Sequence, residues 1–268
     1  MAKVVLITGA SSGLGLSTAL HLHKIGYQVY GTSRNPEKNT ITLPFPLIPL
    51  EITNNDSIDS CVALVLKKAG RLDVLINNAG VGITGPMEEI DLTAVSENFA
   101  VNCFGPLQMA QAVLPKMREQ SSGLIINITS IAGVMGLPFR GVYSSSKSAF
   151  SIMTESLRME VKSFGIQVCS LAPGDYATDI ASRRYHAPVI ENSPYKRIYQ
   201  ENLDIMNKHV SDGNPPKEIA IAIAEIIKKG KPAVNYQVGP FMQKLSKILK
   251  GILPNRIFEK LIMNHYKL

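Results

Sequence analysis

Short apolar runs alternate with longer amphipathic stretches along most of the chain. The apolar runs are bounded by turn residues and predict strands over about 3–8, 27–32, 47–52, 72–77, 124–130, 166–172 and 233–238. Helical periodicity between them predicts helices over about 13–25, 92–120, 142–164 and 217–229, and a further helix that begins near Asn54. Alternation of this kind predicts a single doubly wound parallel sheet with helices on both faces, a Rossmann-type α/β fold.

The pattern weakens after Pro173 and changes again after residue 240. Residues 175–216 contain prolines, tyrosines and charges without firm periodicity. In a doubly wound fold they lie beyond the carboxyl ends of the strands, where ligands bind, so we interpret them as a substrate lid. We therefore predict a cofactor-binding and catalytic domain over 1–240 and an amphipathic C-terminal extension over 241–268.

Composition adds few restrictions. The chain has 268 residues, of which 45% are hydrophobic and 18% charged, and this suits one large globular domain. No apolar run reaches the roughly 18 residues of a membrane-spanning helix, and a predicted strand occupies the place of a signal peptide. Cys61, Cys103 and Cys169 lack metal-ligand spacing and are typical of reduced thiols. We expect a cytoplasmic protein without a metal site.

Positive charge is concentrated in the C-terminal extension. The formal net charge is +7, and residues 241–268 contain six basic residues against the single acid Glu259. The apolar residues of this segment fall on one helical stripe. One interpretation is a helix packed on its own domain or on a partner subunit. The other is a helix on an anionic membrane surface, which would suit a lipid-like substrate. We do not expect nucleic-acid binding.

A glycine-rich loop follows the first predicted strand. Its sequence is Thr8-Gly9-Ala10-Ser11-Ser12-Gly13-Leu14-Gly15, and an amphipathic helix begins within it. Glycines at such a site permit a tight turn and let backbone N–H groups approach a pyrophosphate at the helix N-terminus. The loop therefore predicts dinucleotide binding, and its position between a strand and a helix strengthens a signal that glycines alone would give weakly.

A second candidate constellation lies in the middle of the chain. Tyr143 and Lys147 are four residues apart in a predicted helix, so their side chains share a face. An ammonium near a phenol stabilises the phenolate, which makes proton exchange with a substrate oxygen feasible. Ser130 ends a buried strand thirteen residues before Tyr143, where its hydroxyl would enter a cofactor crevice.

These motifs together resemble the short-chain dehydrogenase/reductase family. The loop has the spacing of the family's TGxxxGxG pattern, and the other family motifs follow in order over about residues 3–179: Asn77-Asn78-Ala79-Gly80, Ser130, Tyr143 with Lys147, and Pro173-Gly174. The resemblance implies that Ser130 orients a carbonyl, Tyr143 transfers a proton and Lys147 assists Tyr143. It also implies a homodimer or homotetramer formed through the helices that hold Asn102 and Tyr143.

The resemblance further implies a set of cofactor-binding residues, namely Gly9, Ser11, Ser12, Gly13, Leu14, Gly15, Asn78, Ala79, Gly80, Tyr143, Lys147, Pro173, Gly174 and Thr178. Asn102 occupies the family's fourth catalytic position, which implies that it holds a water for proton relay. The alternative is a helix asparagine that bonds only to backbone, and Gly105-Pro106 nearby suggests a kink.

The second predicted strand bears on the choice of cofactor. NAD enzymes of this type place a carboxylate at its end, which binds the ribose hydroxyls and repels a 2′-phosphate. Ser33 occupies that position here, eighteen residues after Gly15, and Arg34 follows with a guanidinium suited to phosphate. These residues predict NADP(H). Glu51 stands where the family often has an aspartate against the adenine.

We therefore interpret the chain as an NADP(H)-dependent oxidoreductase that transfers a hydride between nicotinamide and a carbonyl or alcohol. The substrate we expect is an apolar or lipid-like ketone, reduced at a cytoplasmic or membrane-surface location. Two alternatives remain open at this point. One is a non-catalytic NADP(H)-sensing protein, against which the intact Ser-Tyr-Lys set argues. The other is a lyase or epimerase on the same scaffold, whose substrate domains are usually longer.

Overall fold

The computed structural model describes residues 2–177, 184–188 and 190–268. Its strands are β1 (Val4–Ile7), β2 (Gln28–Ser33), β3 (Leu47–Pro49), β4 (Val74–Asn77), β5 (Ile83–Thr84), β6 (Gly123–Ile128), β7 (Ile166–Pro173), β8 (Tyr185–His186) and β9 (Asn235–Val238). Seven of them form one parallel sheet in the order β3-β2-β1-β4-β6-β7-β9. The predicted doubly wound fold is confirmed.

Helices connect the strands and cover both faces of the sheet. They are α1 (Gly13–Lys24), α2 (Asn55–Ala69), α3 (Leu92–Phe99), α4 (Gly105–Glu119), α5 (Gly141–Glu160), α6 (Lys196–Ser211), α7 (Lys217–Lys229), α8 (Phe241–Ile252) and α9 (Asn255–Tyr266). Because all seven strands are parallel, their carboxyl ends meet at one edge, and the order reverses between β1 and β4. A crevice at this reversal is the usual ligand site of such folds.

Alternating residues of β1 show how the two core layers form. Val4 and Leu6 pack on one face with the apolar side chains of α2 and α4. Val5 and Ile7 pack on the other face with those of α1 and α7. All four side chains are buried, and full burial of each contributes about 1.5–3 kcal/mol. The sheet is therefore a rigid base for the residues at its carboxyl edge.

The single helix predicted over 92–120 is wrong in one respect, because a π-helical turn at Ala100–Phe104 separates α3 from α4. Two residues account for the interruption. A Cβ at Gly105 would lie 2.5 Å from the Ile52 carbonyl oxygen, so this turn touches a neighbouring loop. Pro106 lacks an N–H and cannot donate the α-helical hydrogen bond to the carbonyl of Asn102. Turns of this kind are frequent at functional sites.

The segment predicted as an aperiodic lid contains a long helix, α6. Its buried residues include Tyr199, Leu203, Met206 and Val210, whose spacing of four, three and four residues is a helical signal that the sequence analysis missed. Before α6, strand β8 pairs in parallel with β5, and the Tyr199 hydroxyl donates to the Thr84 carbonyl over 3.0 Å. The described part of the lid is thus attached to the sheet domain.

The C-terminal extension forms two helices, which are interrupted before Pro254. Helix α9 buries Phe258 and Tyr266, and Tyr266 belongs to a cluster with Tyr199 and Leu203 of α6. Helix α8 buries no residue completely. Its apolar stripe faces solvent, with exposed side chains at Phe241, Met242, Ile248 and Ile252. Within the described residues, no helix is long and apolar enough to span a membrane.

Candidate active site

The glycine-rich loop connects β1 to α1 and lies against the loop that follows β4. Gly9 has φ +67°, a left-handed conformation that a side chain would strain, and a Cβ there would lie 3.1 Å from the Ala79 Cα. Gly15 is packed more closely, since its Cβ would lie 2.2 Å from the Gly9 carbonyl oxygen. The loop therefore has a shape that only glycine permits at these positions.

Hydrogen bonds join this loop to the Asn-Asn-Ala-Gly segment after β4. The Asn78 side-chain amide donates to the Thr8 and Gly9 carbonyls at 2.9 and 3.1 Å, and the Thr8 hydroxyl accepts from the Asn78 and Ala79 N–H groups at 2.9 Å each. The two motifs, about 70 residues apart in sequence, fix each other. The start of α1 lines the cleft, where a helix N-terminus suits a pyrophosphate.

A cleft of about 580 Å³ runs along the carboxyl edge of the sheet. Most of the residues predicted to bind the cofactor line it; they are Gly9, Ser11, Ser12, Gly13, Leu14, Ser33, Arg34, Asn78, Ala79, Gly80, Tyr143, Lys147, Pro173 and Gly174. Gly15 does not line the cleft but lies buried beneath the loop. Thr178 falls outside the described residues. The volume and the glycine cradle suit a dinucleotide.

Ser130, Tyr143 and Lys147 line the same cleft at its other end. Ser130 follows β6 and its hydroxyl accepts from the Ala132 N–H over 3.1 Å. Tyr143 and Lys147 lie on the first turns of α5, and both are nearly buried. The Lys147 ammonium donates to the Ile128 carbonyl over 3.0 Å, and burial lowers its pKa to about 8. The structure thus brings the predicted catalytic residues to one wall.

Asn102 lies behind this wall, in the π-helical turn, and is fully buried. Its side-chain carbonyl accepts from the Val81 N–H over 2.8 Å, and its amide donates to the Val81 carbonyl over 2.8 Å. The amide also contacts Asn98 Oδ1 at 3.1 Å and Ser146 Oγ at 3.2 Å. The side chain therefore holds the backbone after β4, while a Cβ at Gly80 would lie 3.0 Å from Asn102 Oδ1 and 3.2 Å from Lys147 Nζ.

Positively charged residues surround the end of the cleft near β2. Ser33 is the last residue of β2, and Arg34 follows it with an exposed side chain. Lys38, in a short 3₁₀ turn, lines the cleft beside them and was missed by the sequence analysis. Its spacing from Arg34 in a Pro-containing turn was the available signal. Glu51 also lines this end, and its carboxylate accepts from the Thr53 hydroxyl over 2.9 Å.

The substrate end contains charged residues that the motifs do not indicate. Arg140, Asp175 and Arg184 all line the cleft near Tyr143. The guanidinium carbon of Arg140 lies 5.4 Å from the centroid of the Tyr143 ring, a cation–π distance. Asp175, which follows the Pro173-Gly174 motif, receives a hydrogen bond of 2.7 Å from the Gln243 side-chain amide of α8. The C-terminal extension thus reaches the site.

Comparisons with known proteins agree with this geometry. The family model described as short chain dehydrogenase matches residues 3–188. The chain belongs to the short-chain dehydrogenase/reductase family. It is accordingly an oxidoreductase of that family. Among curated relatives, the 3-ketodihydrosphingosine reductase of Bacteroides thetaiotaomicron is 39% identical over 258 residues, which cover 96% of this chain and 95% of the relative.

Solved structures of family members show the same fold. A short-chain dehydrogenase from Streptomyces avermitilis superposes with a TM-score of 0.80 and 29% identity, covering 100% of this chain and 97% of the other. One from Burkholderia cenocepacia, in complex with NADP, has a TM-score of 0.77 and 25% identity, covering 97% of each chain. A 3-ketoacyl-(acyl-carrier-protein) reductase from Brucella melitensis, complexed with NADH, shares the fold at 22% identity and TM-score 0.73, covering 88% and 96%.

Proposed function

We propose that this protein is an NADP(H)-dependent reductase of apolar or lipid-like ketones. The observation that carries the proposal is the continuity of one cleft, which joins the glycine cradle and the Arg34 end to Ser130, Tyr143 and Lys147. A dinucleotide held along this cleft would have its 2′-substituent beside Arg34 and its nicotinamide beside Tyr143. When bound, the nicotinamide supplies the hydride, and the residues of the chain supply orientation and the proton.

Each side chain of the catalytic set has a distinct task in this proposal. The Ser130 hydroxyl binds the substrate oxygen, and Tyr143 gives a proton to that oxygen during reduction. Lys147 stabilises the phenolate that remains. Burial and the bond to the Ile128 carbonyl hold the lysine in one position. Burial lowers its pKa to about 8, which still leaves the ammonium as the main form at neutral pH. Oxidation of an alcohol would reverse the proton transfer.

Asn102 acts in this proposal as a positioning residue. Its side chain forms hydrogen bonds with both the N–H and the carbonyl of Val81. These bonds fix the backbone that follows Gly80. Proton relay through a water would use the main-chain carbonyl of Asn102, because Pro106 cannot donate to that carbonyl as an α-helical residue would. The water relay predicted for Asn102 therefore stays a proposal. In it, the water donates to the main-chain carbonyl of Asn102 rather than to its side chain.

NADP(H) is favoured over NAD(H) by the charges near β2. Ser33 provides a hydroxyl where a carboxylate would repel a 2′-phosphate, and Arg34 and Lys38 provide two cations beside it. Among the described residues, Glu51, just after β3, is the one acid that lines this end. Relatives with this fold are known with NADP and with NADH, so the argument rests on these side chains.

The lipid-like substrate is supported by the named activity of the Bacteroides relative and by helix α8. The apolar stripe of α8 is exposed, its lysines flank the stripe, and the helix contacts the turn that follows Ser130. We propose that residues 241–268 form an extension of a catalytic domain over 1–240, and that α8 rests on the surface of an anionic membrane on the cytoplasmic side. A lysine-flanked apolar helix near the cleft would bring lipid substrates to it.

We also propose that the protein forms a dimer or tetramer through α4 and α5. Apolar side chains near or on these helices are exposed, among them Phe104, Ile152 and Met159, which are 49%, 66% and 72% exposed. Single exposed apolar residues are ordinary, but Ile152 and Met159 on α5, together with Phe104 just before α4, suit a symmetric interface. Sedimentation equilibrium of the protein and of Ile152→Glu with Met159→Glu tests this, since the double variant should sediment as a monomer.

The decisive test is oxidation of NADPH or NADH, followed at 340 nm, with ketones that range from small polar ones to steroids, retinal and long-chain acyl ketones. We expect turnover of NADPH with an apolar ketone and its loss in Tyr143→Phe. Preference for NADH would contradict the roles of Ser33, Arg34 and Lys38. Tight NADPH binding without turnover on any ketone would favour a sensing function instead.

Membrane contact has its own test. The protein is sedimented with vesicles of phosphatidylcholine alone or with one-third phosphatidylserine, and compared with Ile248→Glu, which alters the exposed stripe of α8. We expect binding to the anionic vesicles and its loss in the variant. Ile221→Glu is the matched control, because Ile221 is an exposed isoleucine of α7, on another surface. Equal sedimentation of all three proteins would contradict the proposal.

A further inference from the structure

Arg184 is an unusual residue for the wall of a cleft, because its guanidinium is buried and, among the described residues, forms no ion pair with a carboxylate. The residue is 8% exposed, and its Nη1 atom is buried and has no hydrogen-bond partner. The side chain is packed over Gly82, where an added Cβ would lie 2.9 Å from Arg184 Cγ and 3.3 Å from Nε. Burial of a charged donor without a partner is unfavourable, so such a group points to a binding site for a ligand of opposite charge.

A second guanidinium belongs to the same wall. Arg140 precedes Tyr143 by three residues, lies over its ring at 5.4 Å and interacts with the hydroxyl of Tyr266 in α9. The two arginines are close enough to affect each other: burial first, and then the charge of Arg140, lowers the pKa of Arg184. In the described part of the chain, neither guanidinium forms an ion pair with a carboxylate.

Among the described residues, the charges at this end of the cleft do not balance. Two arginines line it with Asp175 as the one described carboxylate beside them, and that carboxylate already accepts the amide of Gln243 over 2.7 Å. The backbone N–H of Asp175 donates to Oε1 of the same Gln243 side chain over 2.9 Å, so Asp175 is directed toward α8. Within the part of the chain that the structure describes, one positive charge and one buried donor are left over. An anion would satisfy both.

The place of these arginines separates them from the cofactor phosphates. The pyrophosphate cradle is at Gly9 and Gly13, and the cations for a 2′-phosphate are Arg34 and Lys38 at the far end of the cleft. Arg140 and Arg184 lie instead beside Tyr143, where the proposed function puts the reacting carbonyl. A planar guanidinium binds phosphate and carboxylate in bidentate fashion, which a neutral or cationic headgroup cannot reproduce.

We propose that Arg140 and Arg184 form a subsite for an anionic group, a phosphate or a carboxylate, that the substrate carries near its carbonyl. This inference rests on the proposed function, because it names the polar end of the ketone that Tyr143 would protonate. The substrate would thus have an acidic headgroup held by the two arginines and an apolar part directed toward the lid and α8.

Binding without turnover tests the subsite directly. The protein, saturated with NADP⁺ so that the cofactor sites are filled, is titrated by calorimetry with hexyl phosphate, heptanoate, hexylammonium and hexanol. We expect hexyl phosphate or heptanoate to bind at least tenfold more tightly than hexanol and hexylammonium, and the tighter of the two anions identifies the headgroup. Arg184→Gln should weaken anion binding by about 10–100-fold, the usual effect of losing a charge-assisted hydrogen bond in a buried site.

Two variants make this result specific. Arg184→Lys keeps the charge and loses the bidentate geometry, so it should weaken anion binding less than Arg184→Gln and shows whether the site tolerates substitution. Arg197→Gln removes an exposed arginine of α6, which pairs with Glu201 at 2.7 Å on the outer surface, and should leave binding unchanged. No preference of the wild-type protein for anions, or a weaker NADPH affinity in Arg184→Gln with anion binding intact, would overturn the proposal.

The outcome is separable from that of the proposed reductase function. Selective anion binding that depends on Arg184, in a protein that turns over no ketone, would support the subsite and count against the reductase. Fast NADPH-dependent reduction of neutral and cationic ketones with no gain from an anionic group would support the reductase and overturn the subsite.

Discussion

The two ends of the cleft are built in different ways. The cofactor end consists of backbone: glycines that permit close approach, and the Thr8 and Asn78 side chains, which hold two loops together. The substrate end consists of charged side chains from separate parts of the chain, namely Arg140, Asp175 and Arg184, with Gln243 behind them. A backbone site for phosphate suits any dinucleotide. Substitution of side chains at the other end can change the substrate preference without disturbing the fold.

The distinction also appears in how each end is attached. At the cofactor end the loops follow β1 and β4, neighbouring central strands of the sheet. At the substrate end, Asp175 depends on α8, a helix without a fully buried residue. We therefore expect damage at the cofactor end to lower stability and cofactor affinity together. Damage at the substrate end should change substrate kinetics and leave the folded domain intact.

The largest effect should come from Tyr143→Phe. Removal of the hydroxyl takes away the proposed proton donor, so kcat for ketone reduction should fall by about 10²–10⁴-fold. The Kd for NADPH, measured by its fluorescence, should stay within about threefold, since the ring and its contact with Arg140 are kept. Retention of more than a tenth of the wild-type kcat would exclude Tyr143 as the donor.

Gly15→Ala should distort the glycine-rich loop at the cofactor end of the cleft. The new Cβ would meet the Gly9 carbonyl oxygen at 2.2 Å and the Asn78 Nδ2 at 2.4 Å, and the backbone must move to avoid them. We expect NADPH affinity to fall by about 10²-fold and stability by about 1–3 kcal/mol, as for overpacking in a core. Gly251→Ala is the matched control, because nothing lies within 4 Å of its Cβ. Equal denaturation midpoints for both variants would contradict the packing argument.

Lys147→Met should abolish activity and raise the stability of the fold. The variant loses turnover, yet the free protein should gain about 1–2 kcal/mol at pH 7, because burial of the ammonium is unfavourable and lowers its pKa to about 8. Between pH 8 and the ordinary lysine value of roughly 10.4, the unfolded chain binds a proton that the folded chain does not. Wild-type stability should therefore rise with pH in this window relative to the variant.

The measurement is the free energy of unfolding in urea for both proteins at several pH values from 7 to 10. The difference in favour of Lys147→Met should be largest at pH 7 and shrink above pH 8. A variant that is less stable than the wild type at pH 7 would mean that the hydrogen bond to Ile128, at 3.0 Å, outweighs desolvation.

The smallest effect should come from Gln243→Leu, which alters the substrate end of the cleft. It removes both hydrogen bonds to Asp175, at 2.7 and 2.9 Å, and so frees α8 from the cleft. We expect stability to fall by about 1 kcal/mol, while KM for the ketone rises severalfold and the Kd for NADPH is unchanged. Steady-state kinetics with each substrate varied in turn checks this. An equal change in both constants would show that the two ends are coupled.

Much of the fold could be predicted from sequence because it depends on local patterns. Continuous apolar runs predicted the seven sheet strands, and the helix over 217–229 was predicted with the observed boundaries. Helix α6 was missed although its buried residues have helical spacing, since the prolines before it obscured the pattern. The sequence suggested only a kink where the structure has the π-helical turn. Gly105 lies against Ile52, which is more than 50 residues away in the chain, and a local pattern does not show such a contact.

The sequence by itself determined the glycine loop, the Ser130, Tyr143 and Lys147 set and the charges after β2, because each depends on residues that are close in the chain or on a strand end. Only the tertiary structure decided that Arg140 and Arg184 share a wall with Tyr143, that Asp175 is held by Gln243, and that α8 has an exposed apolar stripe. The physical reason is that burial and the balance of charge depend on which residues are neighbours in space. A linear pattern shows the residue types but not which charges remain unpaired.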